Sequence, residues 1–326
     1  MPGPMVLLYH RIARLPEDPH LLCVTPEHFE EQLLALMRFC KVVSLSQMTK
    51  DLAKGKRLGP VVALTFDDGY ADNAEVAMPL LKKYGIPSTF YLASGFVGTT
   101  REYLQDDLER LLLLAAFCPD PLRITVGRES FAWSMQRSDY ETRAAAPIAG
   151  WNMLSASDPT PLHRAHREIH NLLRAVNPVE REEVLTQLRQ LCGDPGQARI
   201  THSAMTWEQA RQMASCDLIE IGAHTVNHAF LSALTQREQR EEILDSKRTL
   251  EEKIGLTVSS FAYPYGTRQS YNNETIQILN KLGFLNACSN FRARIGPKTD
   301  SFQIPRFVVR DWDAHEFIRM ICSARM

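Results

Sequence analysis

Two pairs of residues in this sequence have side chains and spacing that could do chemistry. Asp67 and Asp68 lie in TFDDGY, where Gly69 allows the backbone to turn so that both carboxylates face one end of a strand. His224 and His228 lie in HTVNH and can share one side of a helical turn, where both imidazoles could bind one metal ion. One aspartate and two histidines leave a coordination position open for hydrolysis, and the other aspartate stays free to act on water.

Each motif also has a purely structural interpretation. An isolated DDG can be a loop whose acids cap the next helix, and histidines four residues apart are commonly an exposed pair. HRAHREIH illustrates the second case, because its charged neighbours predict that His163, His166 and His170 lie on a solvated helix surface. We therefore do not expect a second metal site there.

Three further groups follow apolar runs. His10 ends the first run, where a single histidine can equally be structural. Pro264 and Gly266 in FAYPYG shape a turn that can direct a backbone N–H into a pocket. The third group surrounds the last run, and it can line a pocket or cap a helix around a buried tryptophan. Its members are Arg306, Arg310, Asp311, Trp312 and Asp313.

The elements that must position these residues alternate between strands and helices. Short apolar runs predict strands buried on both faces, and amphipathic stretches between them predict helices. This alternation indicates an α/β fold with a parallel sheet, and the lack of a glycine-rich nucleotide motif favours a barrel over an open sheet. All five groups follow strands, on the barrel face that carries active sites. The runs are 5–9, 41–45, 61–66, 88–93, 218–223, 258–263, 284–289 and 306–310.

A stretch at about 99–205 interrupts this alternation. It contains helical segments and several prolines, and we interpret it as a largely helical insertion packed over one end of a single domain spanning 1–326. Trp133 and Trp151 lie in its irregular parts. We expect them to be core residues rather than a platform for a sugar.

Composition excludes several classes of protein. The 326 residues include 37 Lys+Arg and 38 Asp+Glu, and the resulting net charge of −1 argues against nucleic acid as a partner. No apolar run reaches the roughly 18 residues that a transmembrane helix needs. The seven cysteines form no CxxC motif, and the N-terminus lacks the features of a secretory signal. These features predict a cytoplasmic location.

In TFDDG, HTVNH and PYG the sequence resembles the polysaccharide deacetylases, the NodB-homology family or carbohydrate esterase family 4. The resemblance covers about 1–98 and 201–326, and it implies a distorted (β/α)7–8 barrel that removes acyl groups from sugars. It also implies that Asp68, His224 and His228 bind a divalent metal, usually zinc. Asp67 would be the general base, and the backbone N–H of Tyr265, after Pro264, would stabilise the oxyanion.

The family's catalytic-acid motif, LxH, does not occur after residue 200. Leu8-Tyr9-His10 satisfies it near the N-terminus, as in circularly permuted members related to the poly-N-acetylglucosamine deacetylases. Because closing a barrel makes its first and last strands neighbours, we assign His10 as the general acid.

Two family features are altered in this chain. Many members carry an arginine two residues before the proline of the third motif, but this chain has Ala262 there. Arg306 and Arg310 are the candidates to orient the base instead. Asp311 and Trp312 match the family's Asp/Trp motif loosely and could line the substrate pocket.

The sequence thus predicts a zinc-dependent deacetylase acting on an N-acetylated sugar or glycan. Without an export signal, a cytoplasmic precursor, a lipid-linked glycan or a sugar-bearing metabolite is the expected substrate. Two alternatives stay open. One is a related amide hydrolase, such as a deformylase or an allantoinase-like cyclic amide hydrolase, and the other is a non-catalytic glycan-binding barrel.

Overall fold

A computed structural model describes residues 3–136, 150–194 and 196–323 of the chain. The chain divides into two units. The first unit contains Met1–Arg14, Leu22–Thr99 and Ala204–Met326, and the second contains Leu15–Leu21 and Thr100–Ser203. That the whole chain forms one catalytic domain with an insertion stays a prediction.

Strands and helices alternate along the first unit, as the apolar pattern predicts, and the described part of the second unit adds a hairpin and three α-helices. The elements of both units follow in chain order. The strands are β1 (Met5–Tyr9), β2 (Arg11–Ile12), β3 (Cys23–Val24), β4 (Lys41–Val42), β5 (Val61–Phe66), β6 (Ser88–Leu92), β7 (Leu122–Val126), β8 (Glu129–Trp133), β9 (Ile219–Ala223), β10 (Ser260–Ala262), β11 (Asn286–Cys288) and β12 (Phe307–Val308). The helices are α1 (Pro26–Phe39), α2 (Leu45–Ala53), α3 (Met78–Tyr84), α4 (Leu104–Leu108), α5 (Pro161–Leu173), α6 (Pro178–Cys192), α7 (Trp207–Ala214), α8 (Gln236–Ile254), α9 (Asn273–Lys281) and α10 (Ala314–Ser323). None of these helices is both long and apolar enough to cross a bilayer.

One parallel sheet forms the centre of the first unit. Its strand order is β11-β10-β9-β6-β5-β1-β12, and β4 also pairs with β5. These eight strands coincide with the eight predicted runs. A parallel bridge between Cys288 and Ile304 brings the end of β11 to the segment that leads into β12, so the sheet curls toward closure. The predicted α/β fold with a curled parallel barrel is confirmed.

Apolar side chains cover both faces of this sheet. Leu64 and Phe90 belong to a large cluster that includes the surrounding helices, whereas Ala63 and Tyr91, one residue away, belong to a second cluster. Burial on both faces explains why the strands are nearly continuous in apolar character. The second face is tightly filled, because a side chain at Gly222 would clash with the Tyr91 ring.

Local signals set the helix ends. α1 begins after Thr25 with Pro26 in its first turn. α8 begins with a capping box in which Thr235 and Glu238 bond each other's backbone N–H groups, and it ends at Gly255. A proline in the first turn, a capping box at the start and a glycine at the end are signals that typically begin and end helices.

The second unit has its own core. Helices α5 and α6 and the antiparallel hairpin of β7 and β8 pack leucine and isoleucine side chains together with Trp133. Trp133 and Trp151 are 8% and 6% exposed, and their indole N–H groups donate to Glu168 and Asp158. Both tryptophans are therefore core residues rather than an exposed platform.

The prediction that the histidines of HRAHREIH lie on a solvated surface is wrong. His166 is fully buried and His170 is 8% exposed, while His163 is only partly buried. The reason is helical spacing: His166 and His170 share the inward face of α5 with Ile169 and Leu173. The charged neighbours that suggested a surface belong to other faces of the same helix.

The burial of His166 predicts a specific loss of stability in acid. Burial, with the nearby His163 and Arg167, lowers the pKa of His166 from 6.5 to about 4. In the unfolded chain the same histidine binds its proton at a higher pH. The stability that neutral His166 contributes is therefore fully present above about pH 6.5 and is lost as the pH falls toward 4. A lowering of that size corresponds to about 3 kcal/mol.

We therefore expect the unfolding free energy of the metal-free wild type to fall more between pH 7 and 4.5 than that of His166→Leu. Urea unfolding at both pH values, followed by circular dichroism, measures the difference. His315→Leu, at an exposed site, is the control and should behave like the wild type. Equal pH dependence in His166→Leu and the wild type would contradict the prediction.

Candidate active site

The chain turns sharply where β5 ends. Asp68 has a φ of 74° and Gly69 a φ of 86°, a region that residues other than glycine seldom adopt. A side chain at Gly69 would also meet Leu92 Cδ2 at 2.7 Å. The turn places the carboxylates of Asp67 and Asp68 at one end of the sheet, where they are 4% and 2% exposed. This is the turn that TFDDGY predicts.

His224 and His228 follow β9 in an irregular loop, so the helical turn predicted for HTVNH is wrong. Thr225 and His228 have φ values of 63° and 50°, and the Thr225 hydroxyl accepts a hydrogen bond from the Ala229 N–H at 3.2 Å. The loop still brings the two imidazoles together, with ring centroids 5.0 Å apart. Their Nε2 atoms lie 3.4 Å and 3.3 Å from Asp68 Oδ1.

Glu242, on α8, holds this loop and was missed by the sequence analysis. Its carboxylate accepts hydrogen bonds from the backbone N–H groups of Val226 and Asn227 at 2.9 and 2.8 Å, and from the Asn227 side chain at 2.7 Å. Glu242 lies some fifteen residues further along the chain on a charged helix, so no local motif marks it. It is a positioning residue for the two histidines.

Asp68, His224 and His228 have the donor atoms of a metal centre. All three are buried, and one ligand atom from each lies within 4.8 Å of the others. His224 Nδ1 lies 2.8 Å from the Ala262 carbonyl, which can only accept, so Nδ1 carries the proton and Nε2 presents a lone pair. Two imidazoles and a carboxylate suit a divalent transition metal such as zinc.

Arg306 binds the other aspartate. Its Nη1 and Nη2 atoms donate to Asp67 Oδ1 and Oδ2, each at 2.7 Å, and its Nε donates to the Ser289 carbonyl at 2.9 Å. Burial raises the pKa of Asp67, but Arg306, with His224 and His10, more than offsets it and the pKa is lowered. Of the two arginines that the sequence analysis considered, Arg306 makes this bidentate contact.

His10 lies beside the two aspartates because β1 and β5 are parallel neighbours. Tyr9 is in register with Phe66, and the Asp67 N–H donates to the Tyr9 carbonyl at 3.0 Å. Burial lowers the pKa of His10, while the carboxylates of Asp68 and Asp67 partly counteract that effect. β1 also pairs with β12, so the first and last strands are neighbours, as the permuted arrangement requires.

Tyr265 completes the group from the loop after β10. It follows Pro264, has a φ of 62°, and its ring lies 4.8 Å from that of His228. Among the described residues, five that are not glycine have a positive φ, and four of them belong to this site. Strained backbone concentrates where side chains must be held for function. Those four are Asp68, Thr225, His228 and Tyr265.

The remaining predicted residues have contacts of another kind. Arg310 is close enough to lower the pKa of His10. Asp311 Oδ1 accepts from the N–H and hydroxyl of Thr25, and the Trp312 carbonyl accepts from Gln32 on α1. A substrate role for Asp311 and Trp312 stays a prediction.

Asp313 matches the helix-cap alternative for this segment. Its Oδ1 accepts from the Glu316 N–H at 2.7 Å, at the start of α10.

Comparisons with known proteins agree with this geometry. Residues 54–112 and 195–287, which contain TFDDGY, HTVNH and PYG, match the family described as polysaccharide deacetylase. Bacillus subtilis (strain 168) YxkH, whose name assigns it to the polysaccharide deacetylases, is 34% identical over 80 residues. That alignment covers 24% of this chain and 27% of YxkH, so this chain matches about a quarter of its relative's length.

Solved structures are similar over nearly the whole chain. The Streptococcus pyogenes deacetylase PplD, in complex with acetate, has a TM-score of 0.59 at 17% identity and covers 97% of both chains. IcaB from Ammonifex degensii has a TM-score of 0.59 at 21% identity and covers 100% of this chain and 98% of its own. At such identities these likenesses establish the fold. The matched segments, with the motifs that they contain, make this chain similar to the polysaccharide deacetylases.

Proposed function

We propose that this protein is a metal-dependent hydrolase that removes N-acetyl groups from a carbohydrate or glycoconjugate. The observation that carries the proposal is the convergence of Asp68, His224 and His228 beside a second aspartate that Arg306 holds. The match to the polysaccharide deacetylase family and the similarity to the structure of a deacetylase support the choice of reaction.

Asp68, His224 and His228 would hold the metal, for which we propose zinc. When bound, the ion supplies Lewis acidity that polarises the acetyl carbonyl and acidifies water. The Nδ1–H bond of His224 to the Ala262 carbonyl keeps its Nε2 available to the ion. Glu242 keeps His228 in reach by fixing the intervening backbone.

Asp67 is the proposed general base. Because Arg306 engages both carboxylate oxygens, the carboxylate cannot rotate, and its free lone pairs keep a constant direction. The lowered pKa keeps Asp67 ionised, so it can take the proton of the attacking water.

His10 is the proposed general acid, which gives a proton to the departing amine nitrogen. Its place beside Asp67 and Asp68 on the neighbouring strand supports this role. The backbone N–H of Tyr265 would stabilise the oxyanion as charge develops on the carbonyl oxygen, from the strained turn next to His228.

We further propose an acetylated sugar or glycan as substrate and exclude nucleic acid on charge. A cytoplasmic location stays a prediction from the cysteine pattern. The alternative of a deformylase or cyclic amide hydrolase predicts formate release or ring opening instead of acetate. A non-catalytic glycan-binding barrel predicts neither, and the complete set of ligands, base and acid candidate argues against it.

Acetate release from chitooligosaccharides by the zinc-loaded protein tests the function, and Asp67→Asn tests the base. We expect the substitution to lower the rate by about 10²-fold or more, because proton transfer to a carboxylate is lost. Asp217→Asn, at an exposed site before β9, is the matched control and should keep most of the activity. Formate in place of acetate, or a wild-type rate in Asp67→Asn, would contradict the proposal.

His10→Ala tests the general acid. We expect a loss of about 10²-fold or more in kcat with acetyl-sugar substrates, because the amine must leave without a proton donor. An acetyl ester of a phenol, whose leaving group needs little protonation, should be cleaved with a much smaller loss. His315→Ala, at an exposed site, serves as control, and equal losses for both substrates in His10→Ala would exclude the acid role.

Arg306→Lys tests the positioning of the base. Lysine keeps the charge but cannot bond both oxygens of Asp67, so we expect kcat to fall at least about tenfold with little change in KM. Arg310→Lys also keeps its charge and should have a clearly smaller effect. A larger loss of kcat in Arg310→Lys than in Arg306→Lys would show that Arg310, and not Arg306, orients the base.

A further inference from the structure

Three histidines meet in the interior of the second unit. His166 and His170 are four residues apart on α5, and His20 belongs to the short segment Leu15–Leu21. The His20 ring centroid lies 4.6 Å from that of His170 and 5.4 Å from that of His166. The His20 ring therefore contacts both helix histidines.

These ring pairs have the geometry of the histidine pair in the candidate active site. His224 and His228 have centroids 5.0 Å apart and ring planes 56° apart. The two ring pairs that His20 forms have interplanar angles of 55° and 57°. Their centroid separations of 4.6 and 5.4 Å are close to the 5.0 Å of the active-site pair. The His20 pairs therefore match the spacing and tilt of the two histidines that we propose as ligands of the first metal ion.

Three ring nitrogen atoms of this cluster, on His20 and His166, are buried in an unusual environment. In the described part of the chain, neither ring nitrogen of His166 nor Nε2 of His20 has a hydrogen bond of normal geometry. The backbone of Gln105 has only a small effect on His166. Buried polar atoms of this kind are costly and commonly mark the place of an ion or a water molecule.

The protonation state of the cluster also suits metal binding. Burial, with the neighbouring His170 and His166, lowers the pKa of His20 well below its usual value. Burial also lowers the pKa of His166 to about 4. Both rings are therefore neutral near pH 7, and the neutral imidazole is the form that binds a metal.

We propose that His20, His166 and His170 form a second binding site for a divalent transition metal, in the second unit of the chain. Three imidazoles with an open fourth position suit zinc, copper or nickel better than calcium or magnesium. The ion would tie the segment Leu15–Leu21 to α5. Leu21, at the end of that segment, has a φ of 53°. In the described ranges it is the one non-glycine residue with a positive φ that lies outside the candidate active site.

Binding requires the rings to turn. The described groups with ligand atoms already within 4.8 Å of one another are the candidate active site and the group of Asp106, Glu109 and His202. Rotation of an imidazole about χ2 is soft, so the spacing of the rings matters more than their present orientation. The other group is the weaker candidate, because Arg199 Nη1 already donates to Glu109 Oε2 at 2.7 Å.

Metal stoichiometry of the full-length protein tests the proposal. We strip the protein with a chelator, add Zn²⁺, remove unbound ion and measure zinc by mass spectrometry. The wild type should hold two equivalents, and His166→Gln and His20→Gln should each hold one. His163→Gln is the matched control, because His163 lies on the same helix and its ring contacts Thr160, and it should keep two.

The triple substitution Asp68→Asn, His224→Gln and His228→Gln separates this proposal from the proposed function. It should hold one equivalent, which His166→Gln then removes. If the wild type is inactive but still holds the ion that depends on His166, the proposed function is contradicted and this site is not. The proposed site is wrong if His166→Gln and His20→Gln still hold two equivalents of zinc. It is also wrong if the wild type does not hold a second equivalent.

Trp151 provides a second readout that does not depend on counting ions. Its ring lies 5.7 Å from that of His166, so Cu²⁺ bound by the cluster should quench its fluorescence. The quenched part of the signal should be missing in Trp151→Phe and in His166→Gln, but present in His163→Gln. Circular dichroism confirms that each variant is folded, and quenching unchanged in folded His166→Gln would overturn the assignment.

Discussion

The buried ion pair between Arg306 and Asp67 is the interaction on which the arrangement of this site depends. Both side chains are almost completely enclosed, and removing one partner of such a pair typically costs about 3–5 kcal/mol because the other charge stays buried. Arg306 also donates to the Ser289 carbonyl and to the Thr65 hydroxyl. One guanidinium therefore joins the segment before β12 to β5 and to the chain that follows β11, and it fixes the proposed base at the same time.

Strained backbone is the second constraint on the site. Asp68, Thr225, His228 and Tyr265 all adopt a positive φ, which costs of the order of 1–3 kcal/mol each. The surrounding contacts must offset that cost, and the three hydrogen bonds that Glu242 accepts are one such offset. The strain orients side chains that follow three different strands toward one point, which regular strand ends could not do.

The sequence predicts the strands and the position of the site because both depend on local or periodic features. Each strand is a short apolar run, and parallel strands bring their carboxyl ends to one edge, so Asp67 and His224 had to meet there. The backbone between His224 and His228 could not be predicted, since Glu242 holds it from a distant helix. Nor could Arg306 be chosen over Arg310, because the two arginines flank β12 and the register of β12 against β1 decides which of them reaches Asp67.

The two histidine pairs show why spacing alone is a weak guide to metal sites. HTVNH and HRAHREIH both contain histidines four residues apart, yet the first forms an irregular loop and the second lies within α5. What distinguishes either pair from a surface pair is burial of the ring nitrogens and the arrival of a third side chain from elsewhere in the chain. Asp68 is that third group for HTVNH, and His20 is that group for HRAHREIH. Both come from segments far away in sequence, so only the folded chain shows that each pair has a partner.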